Sequence, residues 1–345
     1  MVIEPDWFDT HVGQCYDLVS PSAYFMAYGR GFYEYDNVLP VYKSAGSDWI
    51  PSLKIKDILK KTRPISFEFF PPRQAEGIPA VLETMEELKA YYPDFASVTY
   101  GAGGSTQAFT EEITLQIKRD TGVEVMAHLT CVGQNKEEID GVLTRLEAVG
   151  VENIIALRGD PPKGETEFVP VEGGFQHASD LLIHVKSNYG FGVAAACYPE
   201  GHTESVDLET DLKYVKMKVD NGADFLVTQL FYDNQHYFDF VERARAAGIT
   251  VPIIPGVLPV LNSGQVRRFT GLSGSEIPLD LDKLLDKYAD SESSARDMGV
   301  EYATAQVREL WDAGVPGVHF YVLNRSYSVS RILNNLNLPG HSREN

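Results

Sequence analysis

The segment SFEFFPP, residues 66–72, sets the first strand of the predicted fold. Its aromatic residues favour an extended chain, and the two prolines that follow end the strand. Glu68 stands within a run of phenylalanines, where burial disfavours the ionised carboxyl and raises its pKa. A raised pKa suits a general acid near neutral pH, whereas pairing with a buried arginine or lysine is the alternative interpretation.

From this segment onward, short apolar runs alternate with longer stretches of helical period. Helices are predicted at 79–91, 136–149 and 207–221, with Asp207 as an N-cap, and a pair of helices at 278–312 divides near 290–294. Strands are predicted at 64–70, 95–101, 124–130, 153–159, 192–198, 225–231, 251–257 and 317–323. Eight strands, each followed by a helix, predict a (β/α)8 TIM barrel.

An open doubly wound sheet is the alternative architecture for this pattern. It normally has a glycine-rich dinucleotide turn after its first strand, and the corresponding stretch FFPPRQAEG does not match. Residues 1–60 differ from the rest, because they are rich in Tyr and Phe but show no clear period; only KIKDILKK looks helical. We therefore predict an aromatic N-terminal extension, 1–60, that packs on a catalytic barrel, 61–340.

Composition restricts the possible partners and the compartment. The 345 residues carry a formal net charge of -19, which argues against nucleic-acid and anionic-membrane surfaces. Cys15, Cys131 and Cys197 are far apart and form no CxxC pair, so neither a disulfide framework nor a zinc site is indicated. The N-terminus lacks a secretory signal, and no apolar run is long enough for a membrane helix. We expect a soluble, cytoplasmic protein.

Polar residues stand at or near most of the predicted strand ends, where barrels of this class place their active sites. His128 and His202 have no metal-ligand spacing with Glu68 or Asp160, so no metal is expected. Lys218 is either a phosphate contact or a solvated surface lysine. The strand-end set is Glu68, Thr99, His128, Thr130, Arg158, Asp160, Tyr198, Glu200, His202, Gln229, Asp233, Tyr321, Asn324 and Arg325.

Several blocks of the chain, in order, resemble the methylenetetrahydrofolate reductase family. They are SFEFFPPR, SVTYGAGGST, AHLTC, ALRGDPP, YPEGH, TQLFYD, PGVLPV and HFYVLNR. The resemblance implies a FAD-containing (β/α)8 barrel that reduces 5,10-methylenetetrahydrofolate to 5-methyltetrahydrofolate at the expense of NADH or NADPH. We also expect a homo-oligomer.

The resemblance also implies roles for individual residues. Glu68 corresponds to the family's general acid, Asp160 to the aspartate beside flavin and pterin, and Gln229 to the amide that binds pterin. Phe269 aligns with an aromatic that stacks on folate or nicotinamide, and we place Tyr321 and Arg325 with the substrate. The expected FAD contacts are Thr99, His128, Arg158, Asp160, Tyr198, His202, Asp211 and Lys218, the last at the diphosphate.

The chain departs from the family pattern near the expected diphosphate. Tyr214 and Met217 stand where relatives often have Asn and Arg, which puts the adenosine end of the FAD site in doubt. Three rival functions stay open: a reductase fed by ferredoxin or a partner flavoprotein, a non-catalytic flavin- or folate-binding barrel, and an unrelated aldolase or isomerase barrel.

Overall fold

A computed structural model describes residues 53–100, 107–161, 164–165 and 167–341. Within these residues, nine strands form one parallel sheet in the order β7-β6-β5-β4-β3-β2-β1-β9-β8. The strands are β1 Ile65–Phe69, β2 Phe95–Val98, β3 Glu124–Thr130, β4 Asn153–Leu157, β5 Gly192–Cys197, β6 Phe225–Thr228, β7 Ile253–Ile254, β8 Gly256–Val257 and β9 Val318–Tyr321. All eight predicted strands are present.

The predicted strand 251–257 is divided into two short segments, β7 and β8, on either side of Pro255. Proline has no backbone N–H, so it interrupts the ladder of hydrogen bonds. Its carbonyl still accepts a hydrogen bond from the His319 backbone N–H at 3.0 Å. β7 pairs with β6 and β8 pairs with β9, so the divided strand closes the sheet into a (β/α)8 barrel, as predicted.

Helices follow the strands as the sequence pattern predicts. Asp207 caps α6, because its carboxylate accepts a hydrogen bond from the Thr210 backbone N–H at 2.7 Å. The long interval after β8 contains α9 and α10, which divide near the predicted position. The helices are α1 Ile55–Ile58, α2 Ile78–Lys89, α3 Gln107–Thr121, α4 Lys136–Ala148, α5 Ala178–Asn188, α6 Leu208–Asp220, α7 Asn234–Ala246, α8 Ser263–Ser273, α9 Leu279–Lys287, α10 Glu292–Asp312 and α11 Ser326–Leu336.

The alternation of side chains along β1 determines what surrounds Glu68. Ile65, Phe67 and Phe69 belong to the large core between strands and helices. Ser66 and Glu68 point the opposite way, into the barrel, where they contact side chains of other strands. The phenylalanines next to Glu68 in sequence therefore pack on the other face of the sheet and do not form its pocket.

The helix α1 lies at the amino-terminal end of the barrel. Ile55 and Ile58 pack in one apolar cluster with Phe95 and Phe225, the first residues of their strands. The Ile55 backbone N–H donates to Asn153 Oδ1 at 2.8 Å. This packing leaves the opposite, carboxyl end of the strands for a ligand site.

Two further predictions concern the N-terminal extension and membrane-spanning helices. The prediction that the extension 1–60 packs on the barrel falls mainly on residues 1–52, which lie outside the described residues, and it stays a prediction. Among the helices that the structure describes, none is long and apolar enough to cross a membrane.

Candidate active site

The Glu68 carboxylate lies inside the barrel between two histidines. Its Oε2 is 3.2 Å from His128 Nε2 and 3.3 Å from His319 Nε2, and Ser97 Oγ donates to the same oxygen at 3.3 Å. Glu68 is 7% exposed and His319 is fully buried. Four strands, β1, β2, β3 and β9, therefore bring one carboxyl and two imidazoles together away from bulk water.

The pKa of Glu68 is lowered, which contradicts the expectation of a raised value. Burial does raise it, but the neighbouring imidazoles of His128 and then of His319 act in the opposite direction and outweigh burial. The alternative from sequence, pairing with a buried arginine or lysine, is also not what the structure contains, because the partners of the carboxylate are the imidazoles of His128 and His319. A lowered pKa favours the ionised carboxylate in this arrangement, and Glu68, His128 and His319 form one cluster of contacts.

His319 was missed by the sequence analysis. It lies in the middle of an apolar strand, and its Nδ1 is 2.7 Å from Ser66 Oγ, two residues before Glu68. A chain of contacts therefore runs from Ser66 through His319 to Glu68. The available signal was a titratable residue in each of two mostly apolar runs, Glu68 in ISFEF and His319 in VHFY. The sequence alone could not show that the two strands are neighbours.

A cavity at the carboxyl ends of the strands includes this cluster. Five of the predicted site residues line it: Glu68, His128, Tyr198, Gln229 and Tyr321. The rest of its wall is mostly apolar, from Phe70, Ile155, Leu157, Ala196, Val227, Leu230, Leu258 and Leu323. An apolar cavity with a few converging polar groups is typical of a site for an organic ligand.

Two of the polar residues are held in place by the neighbouring strands. Tyr321 donates its hydroxyl hydrogen to the Thr228 carbonyl at 2.6 Å, and burial raises its pKa well above the usual value. Gln229 follows β6 directly, and its backbone N–H donates to the Cys197 carbonyl at 2.8 Å. A phenol and an amide are thus fixed at the same rim as Glu68.

The segment after β4 makes a tight turn that places Arg158 and Asp160. Gly159 has a φ of +87°, and a Cβ there would lie 2.8 Å from Val132 Cγ1, so both the turn and the packing require glycine. Arg158 forms two hydrogen bonds with the Glu204 carboxylate, at 2.5 and 2.7 Å. Both predicted residues are half-buried near the cavity, but neither lines it.

The segment after β5 holds Tyr198 against His202. Their ring centroids are 4.6 Å apart at 82°, an edge-to-face arrangement. Burial is the main cause that raises the pKa of Tyr198, followed by the charges of Asp160 and Asp211, and burial lowers the pKa of His202. Asp211 is 5% exposed and accepts a hydrogen bond from Ser205 Oγ at 3.2 Å.

Lys218 and Thr99 carry polar atoms suited to an anionic ligand. Lys218 Nζ donates to the Ala196 carbonyl at 2.5 Å, and burial lowers the pKa of its ammonium. Thr99 is 2% exposed, and within the described residues its Oγ1 has no hydrogen-bond partner. His128 Nδ1 is also buried, and it too has no hydrogen-bond partner within the described residues. These groups fit a bound polar ligand, because buried polar atoms are normally hydrogen-bonded.

Phe269 and Arg325 are not brought to the cavity. Phe269 lies in α8, is 7% exposed, and packs in a separate apolar cluster with Leu258 and Leu281. Arg325 is the N-cap residue of α11 and is half-buried. Their predicted roles in substrate binding stay predictions.

The closed parallel barrel, with titratable groups inside its carboxyl end, defines a (β/α)8 barrel with an enzyme-like site. The sequence model of the family described as methylenetetrahydrofolate reductase matches residues 54–337. This chain therefore belongs to the methylenetetrahydrofolate reductase family.

Individual relatives agree with this assignment. "Methylenetetrahydrofolate reductase (NADH) 1" of Zea mays is 41% identical over 289 residues, covering 81% of this chain and 49% of the relative. "5,10-methylenetetrahydrofolate reductase" of Escherichia coli is 36% identical over 272 residues, covering 78% of this chain and 90% of the relative. The chain thus spans about half the length of the plant relatives that it matches.

One solved structure shares the fold. It is an uncharacterised protein from Clostridium thermocellum, described as binding two copies of 5-methyl-5,6,7,8-tetrahydrofolic acid. The TM-score is 0.56 at 15% sequence identity, over 81% of this chain and 96% of that one. At this identity the similarity supports the barrel fold alone.

Proposed function

We propose that this protein reduces 5,10-methylenetetrahydrofolate to 5-methyltetrahydrofolate, with FAD as cofactor and NADH or NADPH as reductant. Membership of the family and the names of its relatives support the reaction. The observation that carries the proposal is the Glu68 carboxylate, which contacts His128 and His319 inside a mostly apolar cavity. The names of the plant relatives favour NADH as reductant.

The cluster is arranged to move a proton toward a substrate. All three contacts of the carboxylate, from His128, His319 and Ser97, are made by Oε2, and none of them involves Oε1. In our proposal Oε1 faces the folate nitrogen that must be protonated when the five-membered ring opens to an iminium. Glu68 is then the group through which a proton reaches that nitrogen, although the pKa of its carboxyl is lowered before substrate binds.

The site fits FAD in its donors and in its charges. When bound, FAD would supply the hydride that reduces the methylene carbon. Lys218 and Arg158 would offset the negative diphosphate, and Thr99 Oγ1 would gain the hydrogen bond that it lacks among the described residues. The half-buried ammonium of Lys218 would gain a favourable partner from an anion, since burial lowers its pKa.

Tyr198 and His202 would pack beside the ring system, and Asp160 would lie near the flavin and the pterin. Gln229 and Tyr321, both at the cavity wall, would bind the pterin by hydrogen bonds. The apolar wall would exclude water from the hydride transfer.

An anaerobic absorption experiment tests this function. Purified protein should show a flavin spectrum that NADH or NADPH bleaches and that 5,10-methylenetetrahydrofolate then restores. Protein without a flavin chromophore, even after incubation with FAD, would contradict the proposed dependence on FAD.

The same experiment separates the remaining rivals. Flavin that dithionite bleaches but neither nicotinamide does, and that folate reoxidises, indicates a reductase fed by ferredoxin or a flavoprotein partner. Flavin that nicotinamide or dithionite reduces but folate does not reoxidise indicates a non-catalytic binding barrel.

A further inference from the structure

Outside the cavity, three metal-ligating side chains converge from three separate segments. Glu200 follows β5, His236 lies in the first turn of α7, and Glu276 lies between α8 and α9. One ligand atom from each lies within 4.8 Å of the others. We propose that Glu200, His236 and Glu276 bind a divalent cation with the preferences of Zn²⁺.

The spacing of the three groups suits metal ligation. His236 Nε2 is 3.6 Å from an oxygen of Glu200 and 3.6 Å from an oxygen of Glu276. Tetrahedral Zn²⁺ with bonds of about 2.0–2.2 Å separates its ligand atoms by about 3.4 Å. Charge-assisted hydrogen bonds are shorter, about 2.7–2.9 Å, so the imidazole is not hydrogen-bonded to either carboxylate.

The Glu200 carboxylate supplies a second, independent observation. Its side chain is 12% exposed, and its Oε2 accepts a hydrogen bond from the Glu276 backbone N–H at 2.7 Å. Its Oε1 is buried and has no hydrogen-bond partner within the described residues. A buried oxygen without a partner indicates that a water or an ion completes the site, and a cation satisfies a carboxylate oxygen directly.

The local charge also favours a cation. Burial raises the pKa of Glu200, and the charges of Glu276 and Asp233 raise it further, against the opposing effects of the Glu276 N–H and of His236. Two carboxylates, those of Glu200 and Glu276, thus lie beside one imidazole. A divalent cation would offset this excess of negative charge, and imidazole with carboxylates is a ligand set that Zn²⁺ accepts.

A cation bound at this site would link three segments of the chain near the cavity. Glu200 is two residues after Tyr198, which lines the cavity, so a bound cation would join the segment after β5 to α7 and to the segment after α8. Three protein ligands leave a fourth position for water. This inference does not depend on the identity of the folate substrate or of the flavin.

Titration calorimetry of EDTA-treated full-length protein with ZnCl₂, together with thermal unfolding, tests the proposal. We expect one equivalent to bind per chain and to raise the unfolding temperature. His236→Asn and, separately, Glu276→Gln should each weaken this binding by more than about tenfold. Glu276 is exposed, so its variant tests the site even if His236→Asn folds poorly.

His184→Asn is the matched control, because His184 Nε2 also contacts a carboxylate, Asp140, at 2.6 Å, but no third ligand joins that pair among the described residues. Its zinc response should equal that of the unaltered protein. No one-to-one binding, or equal affinity in all the variants, would overturn the proposal. In that case His236, when protonated, acts as an ion-pair partner of the two carboxylates only.

Discussion

Glu68 Oε2 and His128 Nε2 lie 3.2 Å apart although their strands, β1 and β3, are not neighbours. The strand between them, β2, contributes only the small Ser97 at this level, in register with Glu68. Inward side chains of alternate strands meet in one layer of a barrel. The longer side chains of Glu68 and His128 can therefore come into contact past the small Ser97 that lies between them.

Replacement of Glu68 by Gln should separate the two half-reactions. The amide keeps the size of the side chain but cannot pass on a proton, so folate reduction should fall by about a hundredfold to ten-thousandfold. Flavin reduction by NADH or NADPH needs no acid at the folate nitrogen and should stay within about twofold of normal. Stopped-flow measurement of each half-reaction checks this. Normal reoxidation by 5,10-methylenetetrahydrofolate in the variant would remove Glu68 from the mechanism.

His319→Gln should raise the pKa of Glu68. His319 lowers that pKa through a hydrogen bond and its charge, so its loss leaves burial opposed by His128 alone. The carboxyl should then take up a proton at a higher pH than in the unaltered protein. Infrared difference spectra across a pH series, with Glu68→Gln as the blank, report the protonated carboxyl. An unchanged titration would mean that His319 contributes only packing.

Asn324→Ala should loosen the closure between the first and last strands. The Asn324 side chain accepts from the Phe70 N–H at 2.9 Å and donates to the Phe70 carbonyl at 2.8 Å. The residue also has a φ of 53°, which asparagine tolerates better than alanine. The variant loses both hydrogen bonds and places alanine at a φ that strains it. Together these changes should lower the free energy of unfolding by about 2–4 kcal/mol, measured by urea denaturation.

Asn337→Ala is the control for that measurement. Asn337 has a φ of 47° at the end of α11 but is exposed, and the described structure contains no hydrogen bond from its side chain. Asn337→Ala should lower the free energy of unfolding only by the cost of placing alanine at a positive φ, about 1 kcal/mol. Equal losses in the two variants would mean that the bonds to Phe70 add nothing.

Lys218→Gln should weaken FAD binding. The half-buried ammonium has a lowered pKa because burial removes its water, so the proposed diphosphate would restore a favourable partner. We expect the dissociation constant to rise by about tenfold to a hundredfold, measured by quenching of flavin fluorescence. Lys216→Gln, two residues earlier and paired with Asp220, should leave it unchanged. Equal effects of the two variants would point to general surface charge.

The sequence by itself determined the barrel, and it placed the candidate site at the carboxyl ends of the strands, where five of the predicted residues line a cavity. Eight apolar runs separated by helical stretches sufficed because parallel barrel strands are buried on both faces and are short. The aspartate cap of α6 and the polar strand ends were also local features, readable without knowledge of packing. Glu68 was identified in the same way, as a carboxyl in an apolar strand.

Only the tertiary structure decided what surrounds that carboxyl. Glu68 and His319 are 251 residues apart in the chain, and their contact exists because β9 pairs with β1 when the barrel closes. The run of phenylalanines around Glu68 suggested an apolar pocket and a raised pKa. The pleat instead places Phe67 and Phe69 on the helix side of the sheet and the carboxyl beside two imidazoles, while Phe70 lines the cavity. A pKa depends on the groups within a few ångströms in space, and local sequence does not specify them.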